Sequence, residues 1–280
     1  MTAQIIDGKK VADSIYKEVK KQLKSMKIKP GIALVLVGND PASHVYVSMK
    51  EKKAKEIGLY CEKHVLSENA KDTDILELIE KLNGSKKIHG ILVQLPLPKQ
   101  INEKLIVDAI LPYKDVDGLT PVNLGFLVND DNMLVAATSL GILELIKSTK
   151  QEVQGKHAVV VGRSTIVGKP TALLLLQKNA TVTICHSKTK NLKEITKQAD
   201  ILVAAVGKPR LIKKDMVKPG AIVIDAGTVK ENEVLVGDVD YDAVKEVAGY
   251  ITPVPGGVGP MTIAMLISNT VKAAQMQRIN

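Results

Sequence analysis

The chain has 280 residues, 45% of them hydrophobic, and contains one Phe and no Trp, so its cores must be aliphatic. Its 39 basic residues exceed 30 acidic ones and give a formal charge of +9, but only three of the 39 are arginine. Arginine makes forked contacts with phosphate and guanine, and aromatic side chains stack on bases. Because both are scarce, the charge favours a solvated lysine-rich surface over nucleic-acid binding.

The composition also indicates the cellular compartment. The two cysteines, Cys61 and Cys185, form no C-x-x-C motif and predict free thiols in a reducing environment. The N-terminus shows no apolar signal region, and no apolar run approaches the roughly 20 residues of a membrane span. We expect a cytoplasmic protein without membrane association or a metal, and the length suggests about two domains.

The first half of the chain predicts alternating strands and helices. The apolar run at 31–37 predicts a buried strand, and Asp40 and Pro41 predict the cap and first position of a helix. On this helix Tyr46 and Lys50 lie four residues apart and share one face. Lys50 is a candidate general base or electrostatic group, since parallel sheets bind ligands nearby. In such a lysine-rich run, the alternative is a solvated side chain.

Two further polar positions are candidates for chemistry. Gln94 is the one polar residue of a predicted apolar strand at 89–97, so it needs hydrogen-bond partners and either braces a loop or contacts a ligand. Asp115 and Asp117 are either paired carboxylates for acid–base or metal chemistry, or parts of an Asp- and Gly-rich turn. No third ligand at suitable spacing supports a metal.

The second half is organised around a glycine loop at 162–168, between an apolar run and a predicted helix. A helix start exposes unpaired N–H groups that bind phosphates. The spacing does not match Gly-x-Gly-x-x-Gly, because no glycine follows Gly162 by two places, and Pro170 stands where Walker A requires Ser or Thr. The loop is therefore a phosphate site of another kind or a turn without a ligand.

Alternating elements around this loop predict a doubly wound parallel sheet. The predicted strands are 157–161, 181–185, 200–206 and 221–225, and the predicted helices are 168–178 and 191–198.

Residues 186–190, after the second of these strands, indicate the nucleotide. A preference for NAD usually needs an Asp or Glu here, whereas this segment offers cations and hydroxyls. Such groups suit a 2′-phosphate, which Arg163 can share, so NADP is favoured over NAD. Later, residues 252–262 are rich in Pro and Gly and predict a rigid loop that lines a cleft, or a structural turn.

With these segments assembled, the chain resembles the bifunctional methylenetetrahydrofolate dehydrogenase/cyclohydrolase family. The matching stretches, in the family's order, are 46–50, 93–98, 114–119, 162–164 with 166–168, 185–189 and 253–262. The resemblance implies two α/β domains flanking a cleft, the second a Rossmann-like doubly wound parallel sheet. It implies a folate-binding catalytic domain at 1–138, completed by a C-terminal helix at 264–280, and an NADP-binding domain at 139–263. Members are commonly homodimers.

The implied activity is NADP-dependent oxidation of 5,10-methylenetetrahydrofolate to 5,10-methenyltetrahydrofolate, followed by hydrolysis to 10-formyltetrahydrofolate in one-carbon metabolism. Lys50 is then the catalytic lysine, held by Gln94. Tyr46 stacks near the pterin and Asp117 binds its amino edge. The implied substrate-binding residues are Tyr46, Lys50, Val93, Gln94, Leu95, Asp117, Pro255, Gly256, Gly257, Val258 and Gly259. The implied cofactor-binding residues are Gly162, Arg163, Ser164, Ser187, Thr228, Thr138 and Thr262.

Two other functions remain open at this point. A dehydrogenase without the cyclohydrolase step is one, although Lys50 and Gln94 argue against it. A folate- or nucleotide-binding protein without turnover is the other, and a departure at 136–139 lends it some weight. The family usually has Pro-Cys-Thr-Pro there, whereas this chain has Ala-Ala-Thr-Ser. Because proline fixes φ and restricts the unfolded chain, we expect a looser interdomain segment, which puts cofactor affinity in question.

Overall fold

The computed structural model describes residues 2–131, 133–232 and 234–277. Its strands are β1 (Gln4–Ile5), β2 (Gly31–Val37), β3 (Tyr60–Leu66), β4 (Gly90–Val93), β5 (His157–Val161), β6 (Thr181–Cys185), β7 (Ile201–Ala204), β8 (Ile222–Asp225), β9 (Val229–Glu231), β10 (Val234–Val236) and β11 (Tyr250–Ile251). Its α-helices are α1 (Gly8–Ser25), α2 (Pro41–Ile57), α3 (Asp72–Gly84), α4 (Glu103–Asp108), α5 (Pro121–Val128), α6 (Ala137–Ser148), α7 (Gly168–Gln177), α8 (Leu192–Thr196), α9 (Tyr241–Val244) and α10 (Val258–Met276).

The chain divides into two compact units. Unit 1 contains residues up to 14 and residues 138–264, and unit 2 contains residues 15–137 and those from 265 onward. The first segment differs from the expected boundary at 1–138, because β1 pairs in parallel with β11 and so joins unit 1. The expected helix at 264–280 is the later part of α10, which begins earlier, at Val258, and residues 278–280 lie outside the described residues.

Unit 1 is built on a six-stranded parallel sheet with the strand order β1-β11-β8-β7-β5-β6. Strands β7 and β8 are buried throughout, as expected for parallel strands covered on both faces. Because β5 lies between β6 and β7, the direction of winding reverses there. Doubly wound sheets bind ligands at this switch point, beyond the carboxyl ends of the strands. The predicted α/β class with a doubly wound parallel sheet is confirmed.

The core of unit 1 is aliphatic, as the composition requires. Val159, Leu202, Val223 and Ile251 belong to one buried cluster. Among the described helices, none has the length and apolar character needed to cross a membrane.

Unit 2 contains a three-stranded parallel sheet in the order β3-β2-β4. The central strand β2 is buried along its whole length, and α2 follows it with the predicted cap. Asp40 accepts a hydrogen bond from the Ser43 backbone at 2.7 Å, and Pro41 occupies the first turn. This sheet also reverses its winding at β2, so the end of β4 and the start of α2 are neighbours at a switch point.

Two predicted boundaries are wrong. The strand expected at 89–97 ends at Val93, since the prolines beyond it have no N–H to donate to a ladder. The Pro- and Gly-rich segment predicted as loop to residue 262 instead turns helical at Val258. Pro260 is tolerated there because the N–H groups of a first helical turn have no intrahelical acceptor.

Candidate functional site

In unit 2, a lysine and a glutamine meet at the switch point of the three-stranded sheet. Lys50 projects from α2, and Gln94 directly follows β4. The Lys50 Nζ donates to the Gln94 Oε1 at 2.8 Å, and the Gln94 Nε2 donates to the Leu95 carbonyl at 2.6 Å. Because the amide nitrogen is committed to a carbonyl, the amide oxygen must face the lysine. Gln94 thus holds Lys50 in one orientation.

Electrostatics shift Lys50 and its neighbour Asp117 toward their uncharged forms. Burial lowers the pKa of Lys50, and the negative charge of Asp117 opposes this shift. Burial also raises the pKa of Asp117, against the positive charge of Lys50. Desolvation disfavours both charges. For Lys50, the uncharged amine is the form that accepts a proton.

The two aspartates of the Asp- and Gly-rich turn have different surroundings. Asp115 is buried, and its carboxylate accepts hydrogen bonds from the Gly118 and Thr120 backbones and from the Asn123 Nδ2, at 2.9, 2.7 and 2.9 Å. It holds the turn together. Asp117 interacts with Lys50 instead. The turn interpretation therefore applies to Asp115, whereas a chemical role of Asp117 stays a prediction.

Two side chains that sequence reasoning missed attach this turn to its surroundings. Lys114 is 3% exposed, and its Nζ donates to carbonyl oxygens at the end of α3, those of Leu82, Asn83 and Ser85. Asn269 of α10 donates to the carbonyl of Val116, next to Asp117, at 2.9 Å. A lysine in a polar segment is typical of a solvated surface, so no sequence signal marked Lys114.

The other substrate residues predicted for unit 2 lie on the same elements. Tyr46 is half-buried one helical turn before Lys50, Val93 is the buried last residue of β4, and Leu95 is half-buried beside Gln94. Lys50 is hydrogen-bonded to Gln94 and interacts electrostatically with Asp117. Tyr46 shares α2 with Lys50.

In unit 1, the glycine loop at 162–168 joins β5 to α7. Gly162 has φ +133°, and a Cβ there would overlap the Ala205 carbonyl oxygen beyond β7. A Cβ on Gly168 would overlap the Gly162 carbonyl oxygen. The Ser164 Oγ accepts hydrogen bonds from the Val167 and Gly168 backbones at 3.1 and 3.3 Å and caps α7. The loop is thus compact, and glycine is sterically required at both ends.

The surroundings of this loop fit a dinucleotide with an additional phosphate. Arg163 and Ser164 are exposed at the switch point, Ser187 and Lys188 are exposed after β6, and Thr228 is exposed after β8. Parallel strands bring these positions to one edge of the sheet. Segment 186–190 contains no acidic side chain, which suits a phosphate better than a ribose hydroxyl.

The remaining predicted residues of unit 1 lie on α6, on α10 and in the turn that precedes α10. The Thr138 Oγ1 and Thr262 Oγ1 are 3.1 Å apart. Gly256 has φ +110°, and a Cβ on Gly8 would overlap the Gly257 carbonyl oxygen. The predicted residues Pro255 to Gly257 form a tight turn, and Val258 and Gly259 begin α10.

Two buried carboxylates, also missed from the sequence, hold the loops at the same sheet edge. Asp225, which ends β8, accepts hydrogen bonds from the backbones of Gly227, Asp238 and Val239 at 3.0, 2.9 and 2.9 Å. Asp238 accepts three more, from the backbones of residues 206, 207 and 208 at 2.6, 3.1 and 2.6 Å. Burial raises the pKa of Asp225 to about 6. The pair anchors the loop that carries Thr228.

A doubly wound sheet with a glycine loop at its switch point defines a dinucleotide-binding α/β protein. The same chain contains a second α/β unit, which carries the half-buried Lys50. Two family models match this chain. The tetrahydrofolate dehydrogenase/cyclohydrolase NAD(P)-binding domain matches residues 136–278, and the catalytic domain of the same name matches residues 6–117. The chain belongs to the tetrahydrofolate dehydrogenase/cyclohydrolase family, which confirms the predicted resemblance.

Individual relatives agree along nearly the whole chain. The bifunctional protein FolD of Halothermothrix orenii is 56% identical over 275 residues, covering 96% of this chain and 97% of that protein. The structure of the bifunctional enzyme FolD, methylenetetrahydrofolate dehydrogenase/cyclohydrolase, from Campylobacter jejuni is 45% identical, with a TM-score of 0.95 and coverage of 98% and 99%. The Trypanosoma brucei FolD, complexed with NADP cofactor and inhibitor, is 36% identical, with a TM-score of 0.95 and full coverage of both chains, 100% each.

Proposed function

We propose that this chain oxidises 5,10-methylenetetrahydrofolate with NADP and hydrolyses the resulting 5,10-methenyltetrahydrofolate to 10-formyltetrahydrofolate. The observation that carries the bifunctional reading is the half-buried Lys50, hydrogen-bonded to Gln94 at 2.8 Å and influenced by the charge of Asp117. Hydride transfer alone needs no such amine, whereas hydrolysis does.

In the first reaction, the one-carbon bridge of the substrate loses a hydride. NADP, when bound, supplies the acceptor for that hydride. No proton is removed in this step, so the chain contributes chiefly by orienting its ligands. Gly162 and Gly168 allow the backbone to approach the pyrophosphate, and Arg163 and Ser187 bind the 2′-phosphate. Thr228, Thr138 and Thr262 complete the proposed cofactor residues.

In the second reaction, water attacks the cationic methenyl carbon. One proton leaves the attacking water and gives a hydroxyl on this carbon. The hydroxyl becomes the formyl carbonyl as the bond from the carbon to one ring nitrogen breaks, and that nitrogen keeps the electron pair and takes up the hydroxyl proton. Lys50 accepts the proton that leaves the water or assists the ring opening, and its lowered pKa increases the fraction of uncharged amine. Gln94 keeps the amine in position.

The remaining residues position the folate. We assign to Asp117 the amino edge of the pterin, and to Tyr46 a stacking contact with its ring. Val93, Leu95 and residues 255–259 complete the proposed folate-binding surface. The 255–259 backbone is rich in glycine and proline, which suits a rigid and closely approaching surface.

We further propose that the protein is a homodimer that pairs through β6. This strand lies at the end of the six-stranded sheet and contains neither Lys nor Pro, the residues that commonly protect an edge. Ile184 on β6 is 41% exposed, and Leu176 on the adjoining α7 is 57% exposed. The cytoplasmic location stays a prediction.

The proposed activity is tested by mixing purified protein with methylenetetrahydrofolate and either NADP or NAD. Reduced nucleotide, methenyl product and formyl product are followed separately. We expect reduction of NADP in preference to NAD, together with both folate products. Reduction without formyl product would indicate a dehydrogenase alone, and binding of both ligands without reduction would indicate a non-catalytic protein.

A further inference from the structure

Ser139 lies in the segment 136–139, where this chain lacks the two prolines of its family. It is completely buried in the first turn of α6, with 0% exposure. Its Oγ donates to the Val167 carbonyl oxygen at 3.1 Å and accepts a hydrogen bond from the Thr171 Oγ1 at 2.9 Å. The hydroxyl therefore uses both its donor and an acceptor site.

Val167 is the last residue of the glycine loop before α7, and several groups hold it. Its N–H donates to the Ser164 Oγ, and its carbonyl oxygen accepts from the Thr171 backbone at 3.0 Å as well as from Ser139. Ser164 and Thr171 belong to the loop and its own helix. Ser139 is on a different helix, α6, and so ties the loop to a separate element of unit 1.

The cost of burying this hydroxyl indicates that its hydrogen bonds matter. Ser139 is 0% exposed, and Ala136 and Ala137 shortly before it are each 1% exposed, so its hydroxyl has no access to water. A hydroxyl in such a place is unfavourable unless it is hydrogen-bonded, whereas alanine would carry no such requirement. The segment expected to be loose is thus buried and bonded at Ser139.

We propose that Ser139 is a positioning residue for cofactor binding, which acts through the hydrogen-bonded series Thr171–Ser139–Val167 to hold the glycine loop in its phosphate-binding conformation. This inference rests on the proposed NADP function. A loop that is already ordered loses less conformational entropy when the ligand binds. The free energy of binding is more favourable by the entropic cost that is avoided.

The test compares NADP binding by calorimetry, without folate, for the full chain and its variants. Ser139→Ala removes both hydrogen bonds of this series, and Thr171→Val removes the one from Thr171 to Ser139. Each variant should raise the dissociation constant about three- to tenfold, the range that one net hydrogen bond corresponds to. The double variant should bind little worse than Ser139→Ala, since that change already breaks the series. Thr171→Ser keeps the hydroxyl and should bind like the wild type.

Ser148→Ala is the matched control. Ser148 is near the other end of α6, and its Oγ also donates to a carbonyl, that of Leu145, at 2.6 Å. Ser148 is exposed, and this variant loses a hydroxyl–carbonyl hydrogen bond that involves no residue of the glycine loop, so it should keep the wild-type dissociation constant. Thermal unfolding without NADP, measured on every variant, separates packing from positioning.

Two results would overturn the inference, and they are distinguishable. If Ser139→Ala lowers the unfolding temperature but binds NADP like the wild type, Ser139 only packs, and the proposed function stands. If the wild-type protein itself fails to bind NADP, the proposed function is overturned, and the inference with it.

Discussion

At the scale of single residues, Lys50 differs from the other lysines of α2 in its surroundings rather than in its sequence. Lys55 is exposed and pairs with Glu51 on the same helix, and such surface pairs contribute little to stability. Lys50 instead donates to Gln94, 44 positions away in the chain, and burial lowers its pKa. Desolvation therefore distinguishes one lysine of the run as a candidate base.

Replacing Lys50 with methionine separates the two proposed reactions. Lys50→Met should lower the hydrolysis rate by about 100- to 10,000-fold, the usual contribution of acid–base catalysis. Hydride transfer should fall much less, because it needs no base. The measurement is the rate of methenyl consumption beside the rate of NADP reduction. Lys52→Met, at an exposed position on the same helix, is the control, and equal retention of both activities in Lys50→Met would refute its role.

The charge of Asp117 opposes the effect of burial on the pKa of Lys50. This negative charge raises the pKa of Lys50 against the larger effect of burial, so Asp117→Asn should lower that pKa further. Uncharged Lys50 would then become half-populated at a lower pH than in the wild type. The check is the pH dependence of Lys50 acylation in the substrate-free protein, located by mass spectrometry with Lys52 as the internal reference. A midpoint that stays in place or rises would contradict the coupling.

At the scale of elements, sequence patterns predicted four strands of unit 1 closely, β5 to β8, because each is a short run between turn residues, whereas β1 and β11 of the same sheet were not predicted. The predicted strands at 157–161 and 181–185 coincide with β5 and β6. The strand predicted at 200–206 narrows to Ile201–Ala204. Beyond it, the backbones of residues 206–208 donate to the carboxylate of Asp238, a distant residue that no local pattern reveals.

The conformation of the glycine loop should depend on Gly162. Gly162→Ala combines a left-handed backbone with an overlap against the Ala205 carbonyl oxygen, and it should cost about 1–3 kcal/mol or more of unfolding free energy. It should also abolish NADP binding, since the loop must move. Urea unfolding and calorimetry measure the two effects.

Gly220→Ala is the control for backbone strain alone. Gly220 has φ +81°, but a Cβ there has open space within 4 Å. Gly220→Ala should lower the free energy of unfolding by about 1 kcal/mol and leave NADP binding unchanged, because it introduces backbone strain without a steric overlap. Equal losses of stability in the two variants would show that the Ala205 contact is unimportant.

At the scale of the whole molecule, a substitution on the edge strand β6 tests the proposed homodimer. Ile184→Lys places a charge on this edge, and charged side chains protect strands from pairing. We expect the variant to sediment as a monomer in analytical ultracentrifugation while the wild type sediments as a dimer. Val234→Lys, at another exposed apolar position on β10, should remain dimeric. A dimeric Ile184→Lys would place the interface elsewhere.

The amino-acid sequence by itself determined the α/β class, four of the six parallel strands of the sheet in unit 1 and the family, because apolar runs, turn residues and ordered motifs can be recognised locally along the chain. Tertiary packing determined the roles of individual polar residues and the composition of unit 1. It separated Asp115, which holds a turn, from Asp117, which interacts with Lys50, and it brought residues 2–14 into unit 1 through β1. It also gave Ser139 hydrogen-bond partners 28 and 32 positions away. Burial and long-range partners depend on which elements meet in the folded chain, and they determine which polar residues are placed for chemistry.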